Sequence, residues 1–308
     1  MGMNIKTFFV ACGLITTGVA FAGECPASLD WDSAQTVARG IKRMNFKVDQ
    51  PRLMENYIVR VDLREPGLRI TGSHRAKEWG EPMPDYTNRV MAIDTCRQKT
   101  RDFLEEHRRN GTNMVFAVNT SPWVPWTKPF THKYGAAVDF LVSDGEVVSH
   151  TQRRGHMLVI FTNNVAVITN HIDDALVPSV AIAHPGHGPS CIMKNGKPTF
   201  EGKSDHKPNL APRTAIGLSA DGRWLYALVV DGRQKGYSEG ADMTDLIAVM
   251  KAAGASDAIN MDGGGSSTLV FWDKKKKKAV IPNHHDAKRR NYRPVAINLG
   301  FYFENSAR

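Results

Sequence analysis

Apolar residues in this chain fall mainly in short runs, at 57–63, 68–71, 114–118, 136–142, 157–161, 165–169, 215–218, 225–230, 258–261, 269–271 and 294–303. Turn formers close many of them, as in Ser143-Asp144-Gly145 and Ala220-Asp221-Gly222. Runs of this length between Gly, Asn and Asp predict β-strands, many of them joined as hairpins. Two segments carry helical spacing instead. Residues 95–109 follow Asp94 as N-cap, put Cys96, Lys99 or Thr100, Phe103 and His107 on one stripe, and stop at Gly111. His107 reads there as a partly buried helix residue rather than a ligand. Residues 243–253 are capped by Asp242, ended by Gly254, and bury Leu246, Ile247, Met250 and Ala253. Helices packed on a sheet otherwise built of hairpins predict an α+β domain: a largely antiparallel or mixed sheet with a few packed helices.

The N-terminus interrupts this pattern. Lys6 is the only charge before Glu24, residues 8–19 form an apolar stretch, and Ala20-Phe21-Ala22 is a small-residue cleavage site. Residues 1–22 therefore read as a signal peptide, too short for a membrane span, and the mature chain is expected outside the cytoplasm, periplasmic or secreted. Residues 23–56 read as a less regular N-terminal extension and 57–308 as one catalytic domain, with no repeats and no low-complexity linker.

Charge and cysteines change the picture only locally. The formal charge is +9, and much of the excess sits in the run Lys274 to Lys278 and in Lys288, Arg289, Arg290 and Arg293. A solvated hairpin tip is one reading; attraction to an anionic polymer such as a phosphate-bearing glycan is the other. No nucleic-acid-binding signature appears. Beyond Cys12, inside the leader, Cys25, Cys96 and Cys191 allow at most one internal disulfide and fit no zinc spacing.

Candidate chemistry gathers at strand ends. Asn260-Met261-Asp262-Gly263-Gly264-Gly265-Ser266-Ser267-Thr268 lies between two apolar strands. Three glycines permit a loop whose amides are unobstructed, so an anion nest is expected, rimmed by Ser266 and Ser267, with the Asp262 carboxylate beside it. Arg213 opens one strand, Asp231 and Arg233 close the next, and Asn119 closes another. Antiparallel pairing would bring Asp231 and Asp262 to one rim with both guanidiniums. Guanidinium forks suit phosphate oxygens, and the carboxylates could act at an anomeric carbon or, with Asn260, hold a divalent cation such as calcium or magnesium. His184 and His187 lie in a Gly- and Pro-rich loop as polar loop groups or loop ligands, His206 precedes Arg213 at the site's edge, and His284-His285 are expected in solvent.

Pro212-Arg213-Thr214-Ala215-Ile216-Gly217, Val230-Asp231-Gly232-Arg233, Gly236-Tyr237-Ser238-Glu239-Gly240 and the Asn260–Thr268 string resemble, in order and spacing, the phosphodiester glycosidase family. Weaker resemblance runs from about Gly40 through Arg293-Pro294-Val295-Ala296 to Phe303. It implies an α+β domain that hydrolyses a sugar-1-phosphodiester between anomeric carbon and phosphate oxygen, on a phosphorylated or anionic glycan, with exported polysaccharide as the setting. Catalysis is then expected of Asp262, Asp231, Arg213 and Arg233. Substrate binding is expected of Asn119, Asn260, Gly263, Gly264, Gly265, Ser266, Ser267, Ser238, His206, Trp123 and Arg293. The chain departs from the family at Asn119-Thr120-Ser121-Pro122-Trp123, where a glycine and an aromatic pair usually follow the asparagine. Trp123 and Trp126 there either stack on a sugar face or cover the core edge. Ile281-Pro282-Asn283 stands where the family usually has Asn-x-Pro. A non-catalytic exported polysaccharide-binding or assembly protein on the same fold is the alternative.

Overall fold

The computed structural model describes residues 23–84, 91–126, 132–149, 155–173, 178–184, 190–199, 209–285 and 292–304, together with Val19–Ala20 as a short edge strand. The rest of the expected leader, Cys12, His187, His206, Lys288, Arg289 and Arg290 lie outside the described residues. No helix among the described residues is long and apolar enough to cross a membrane.

The frame is mainly β, almost wholly antiparallel, with two α-helices among the described residues. This corrects the α+β expectation. The largest sheet runs β1 (Val19–Ala20), β3 (Ile41–Val48), β4 (Met54–Asp62), β18 (Trp224–Val230), β17 (Arg213–Leu218), β19 (Asp257–Asn260), β15 (Cys191–Lys194), β16 (Lys197–Pro198), with β2 (Gln35–Ala38) on β3. A second sheet is ordered β21 (Lys278–Val280), β20 (Leu269–Asp273), β7 (Asn113–Asn119), β22 (Asn298–Phe303), β5 (Leu68–Gly72). A third is β11 (Glu146–Ser149), β10 (Leu141–Ser143), β14 (Val180–Ala183), β12 (Met157–Ile160), β13 (Ala166–Thr169). A small one joins β6 (Thr95–Cys96), β9 (Tyr134–Ala137) and β8 (Trp123–Val124).

The strands are apolar on both faces because both faces are covered. Along β18, Leu225, Ala227 and Val229 enter the core shared with the second and third sheets. Tyr226, Leu228 and Val230 enter the layer under α2 (Met243–Ala253). Helix α1 (Thr100–Arg109) seals the outer face of the second sheet with Phe103 and Leu104.

Helix α2 matches its expected bounds: Asp242 accepts from Asp245 N in a capping box, and Gly254 ends it at φ 101°. Helix α1 starts later than its periodicity suggests. Thr95 and Cys96 pair with Gly135 and Tyr134 as β6, and the Asp94 carboxylate accepts from Ala137 N instead of capping. A β-branched residue beside an open strand edge gains more from pairing than from helix. The run 136–142 breaks into β9 and β10 at Asp139, whose buried carboxylate accepts from Phe140 N and Gly155 N. Residues 23–56 are more regular than expected, since β3 pairs along its whole length with β4. Cys25, Cys96 and Cys191 are all free. His285 is buried against Tyr292, contrary to its expected exposure, while His284 is exposed.

Candidate active site

Antiparallel register places the motifs at one end of the frame. Arg213 opens β17 opposite Val230, and Asn260 ends β19 opposite Ala215. Asn119 ends β7 opposite Asn298. Asn119 is fully buried and joins three of these ends. It donates from Nδ2 to Asp262 O (2.8 Å) and accepts at Oδ1 from Thr214 Oγ1 (2.9 Å) and Thr268 N (2.9 Å). It ties these strand ends together through its amide.

The 262–267 loop spends part of the expected nest on its own turn. It closes as a 3-10 turn, Gly264–Ser266, in which Gly264 N donates to Pro212 O, Ser266 N to Gly263 O and Ser267 N to Gly264 O. Of the three glycine amides, that of Gly264 is thereby committed, while Gly263 N–H faces the Asp262 carboxyl. The glycines have another use. A Cβ on Gly263 would lie 2.6 Å from Pro212 O and 3.6 Å from Arg213 Cδ, on Gly264 3.2 Å from Arg233 Nη1, and on Gly265 3.0 Å from Arg293 Nη2. Each glycine thus faces one arginine, and bare backbone lets three guanidinium-bearing chains approach. Gly264 also sits at φ +63°, where a side chain is strained.

The arginines crowd one another. Burial, then Arg233, holds the Arg213 guanidinium below its ordinary pKa. Burial lowers Arg293 too, with Arg233 adding to the effect and Asp262 opposing it. Arg97, absent from the expected set, is pushed down to about 10 by burial and by Arg293. Arg213 is steadied by donation to Ala241 O (3.1 Å) and Asn209 O (2.6 Å), and Arg293 donates to Ser266 Oγ (3.3 Å) and stacks over Trp126 at 4.5 Å. Arg233 is exposed, and its side chain makes no hydrogen bond or ion pair among the described residues. Like charges held this close favour an anion between them.

The two aspartates differ. Asp231 is fully buried; its Oδ1 accepts from Asn283 Nδ2 (3.1 Å), and its Oδ2 from His284 N (2.8 Å) and Tyr237 Oη (3.2 Å). Burial still raises its pKa, with these bonds opposing. Asn283 also donates to Ser267 O (3.0 Å) and accepts from Leu269 N (3.0 Å), so Asp231 braces the glycine loop through Asn283. Asp262 keeps part of its surface in solvent, yet its Oδ2 is covered and has no partner. Burial lifts its carboxyl to about 6 against the pull of Ser266, Arg293 and Gly263 N–H. Of the pair, Asp262 is therefore the one with a raised carboxyl pKa and an oxygen not committed to the fold.

The remaining expected residues divide by exposure. Ser238 is buried, donating to Asp231 O (2.7 Å) and accepting from Glu55 N (3.1 Å). Ser266 and Ser267 are buried rather than at a rim. Trp123 is 1% exposed and belongs to the core, so the exposed ring is that of Trp126, at 51%. Of the residues expected to hold a cation, Asp231 has both oxygens committed, while Asn260 Oδ1 and Asp262 Oδ2 have no partner. Among the described residues no three His, Cys, Asp or Glu side chains converge on a metal-binding point. Sequence reading missed Asn283 and Tyr237 as residues that hold Asp231. Tyr237 lies inside a quoted motif, and Asn283 sits at the displaced Asn-x-Pro position.

A family model for phosphodiester glycosidases matches residues 112–302, the span that holds all of these side chains except Arg97. The chain belongs to the phosphodiester glycosidase family. The family is one of hydrolases, which is the activity class it brings to this site. Among solved structures, the zebrafish N-acetylglucosamine-1-phosphodiester α-N-acetylglucosaminidase catalytic domain, auto-inhibited by its pro-peptide, shares the fold. The TM-score is 0.57 at 18% identity, over 89% of this chain and 86% of that one. A Burkholderia pseudomallei protein described as exported aligns with TM-score 0.51 and 14% identity, over 81% of this chain and 74% of its own. A search of curated protein sequences finds no match.

Asp231→Ala is expected to destabilise the fold by roughly 3 kcal/mol, because it strips partners from Asn283, His284 N and Tyr237 inside the protein. Urea denaturation measures it. A midpoint equal to wild type would show that Asp231 does not brace the loop.

Proposed function

We propose that this phosphodiester glycosidase acts outside the cytoplasm and cleaves the bond between an anomeric carbon and a phosphate oxygen in a phosphate-bearing glycan or glycoconjugate. The observation that carries the reading is the ring of Arg213, Arg233 and Arg293 around Gly263–Gly265, beside a carboxyl lifted to about 6. The guanidiniums take the phosphodiester, and charge gathering on the leaving oxygen falls among them. The C1–O bond breaks with its electron pair going to that phosphate oxygen, which leaves as part of a phosphomonoester. Such a leaving group is already acidic, so a strong general acid is unnecessary. Ionised Asp262 takes the proton of the attacking water, which adds to C1. Trp126 offers its exposed ring to the sugar or aglycone. Asp231 holds the loop and touches neither.

Purified protein incubated with a panel of UDP-sugars and p-nitrophenyl-phosphoryl sugars should release free sugar and a phosphomonoester. Parallel reactions with EDTA read the divalent-cation requirement directly. Binding without release across the panel would favour the polysaccharide-binding alternative. Arg233→Ala should lower kcat/KM by about 10²-fold, the scale of removing one positioned charge donor. Its melting temperature should stay near wild type, since the side chain is exposed and unbonded. Unchanged kcat/KM would remove Arg233 from the phosphate site.

A further inference from the structure

A second charged feature lies at the far end of β20 from the glycine loop. The β20–β21 hairpin carries Lys274 to Lys278 at its tip, all exposed. The C-terminal turn of α1 stands against it, and the two enclose a groove of about 460 Å³. Arg108, Arg109, Lys277 and Lys278 line the groove with Glu105 as the one carboxylate and Trp272 as the one aromatic ring. Leu269 to Asp273 separates this groove from the catalytic loop, roughly 14 Å of extended strand.

The tip is ordered. Asp273 Oδ1 accepts from Lys275 N (2.9 Å) and Lys276 N (3.0 Å), and Lys277 takes a left-handed φ of 49° to close the turn. Arg108 is fixed from the other wall: it donates to Asn113 Oδ1 (3.1 Å) and Met114 O (2.9 Å) and lies 4.2 Å over the Trp272 ring. The side chains of Arg109, Lys277 and Lys278 make no hydrogen bond or ion pair among the described residues. A solvated lysine tip needs no opposing wall of arginine. Cations facing each other across a fixed groove repel in the free protein, and a bound polyanion relieves that repulsion.

We propose that this groove binds a flexible anionic polysaccharide, a glycan carrying phosphate, sulfate or carboxylate groups along its length. A lipid surface fits it less well. Among the described residues the exposed large hydrophobics are Trp126, Val165 and Val167, none on this hairpin or on α1, so nothing here inserts between acyl chains. Single-stranded nucleic acid fits less well because the groove lining holds one aromatic ring, with Arg108 on one face of it, and no series of rings on which successive bases would stack. The inference stands apart from catalysis, since no residue of the groove belongs to the site around Asp262.

The test uses fluorescently labelled dextran sulfate, with unlabelled neutral dextran, poly(A) and anionic phosphatidylglycerol vesicles as competitors. Binding to the whole protein is read by anisotropy across a salt series. The triple variant Lys277→Glu, Lys278→Glu, Arg109→Glu changes only exposed side chains, and circular dichroism checks its fold. Dextran sulfate should bind wild type with a log–log salt slope of about −3, as expected for four cations releasing counterions from a flexible polyanion. The triple variant should bind at least ten-fold more weakly, with a shallower slope. Neutral dextran should not compete, and turnover of a small phosphodiester should be unchanged. Equal affinity in the variant, or competition by neutral dextran, overturns the proposal. Competition by vesicles or poly(A) stronger than by unlabelled dextran sulfate assigns the groove to lipid or nucleic acid instead. Because the readout is binding, absence of hydrolysis on any substrate leaves this result independent.

Discussion

Asp262→Asn is expected to abolish hydrolysis while making the folded protein more stable at neutral pH. Turnover should fall by 10³-fold or more, since the amide cannot take the proton of the attacking water. The stability gain follows from the direction of the pKa. Burial lifts the Asp262 carboxyl from 3.8 to about 6, so the folded state holds its proton more tightly than the unfolded chain does. Below about pH 4 the group is protonated in both states and carries no penalty. As pH rises through about 6 the folded state must ionise a group that prefers to stay neutral, and stability falls. The span of that loss is roughly 3 kcal/mol at most, and Arg293 beside the ionised form reduces what the amide recovers. A gain of roughly 2 kcal/mol at pH 8, shrinking to nothing near pH 4, is the expected pattern in urea melts. In the wild type, kcat/KM should rise with pH through about 6, because the ionised carboxylate does the work. A variant that turns over at wild-type rate, or one less stable at pH 8 than at pH 4 relative to wild type, would move the reactive carboxyl elsewhere.

The second large effect is expected at Asn119. Its amide serves Asp262 O, Thr214 Oγ1 and Thr268 N at once, with no water access. Asn119→Ala leaves those buried groups without partners at the junction of β7, β17 and the glycine loop. Each such loss costs about 1–3 kcal/mol, so a total of roughly 4 kcal/mol is expected. Activity should fall even at a temperature where the variant is folded, through kcat more than KM, because the loop carrying Asp262 loses its anchor while the arginines remain. Denaturant unfolding and steady-state kinetics at one temperature separate the two consequences. A variant with wild-type stability and raised KM alone would show that Asn119 meets substrate instead.

These two residues also mark how far the sequence could be read. The motif around Asp262 and the arginines is local, and the antiparallel arrangement of short apolar runs was enough to gather them at one rim. The asparagine at the end of β7 was picked out as well, but as a ligand group. The three hydrogen bonds it makes depend on distant strand ends meeting, which no local pattern expresses. The same holds for Asp231. In sequence it is a carboxylate beside a turn; in the fold it is enclosed by Tyr237, Asn283 and His284 N and left with no open oxygen.

Where local propensity met an unfilled strand edge, the edge prevailed. Thr95 is expected to open a helix and Cys96 to lie on its stripe, but they complete a sheet beside Gly135 and Tyr134. The extension 23–56 looked irregular because the alternation in Ile41–Val48 is broken by lysine, arginine and asparagine. The burial pattern of β3 shows why those are tolerated: they fall on partly covered or exposed positions while Ile41, Met44, Phe46 and Val48 face inward. Helix α2, by contrast, is closed by its own caps, and its expected bounds coincide with those observed.

By itself, the sequence determined the strand-rich character, helix α2, the family and the glycine loop that carries its motif, because each rests on short-range chemistry: turn residues, caps, and a glycine triplet beside an acid. Only the tertiary structure shows each of the three glycines packed against one arginine side chain and Gly264 N taken by Pro212 O, because these contacts join segments far apart in the chain. It also set the two aspartates apart. Two carboxylates of equal intrinsic acidity were separated by partners from distant strands, one saturated with hydrogen bonds and the other half-buried with one covered oxygen unpartnered.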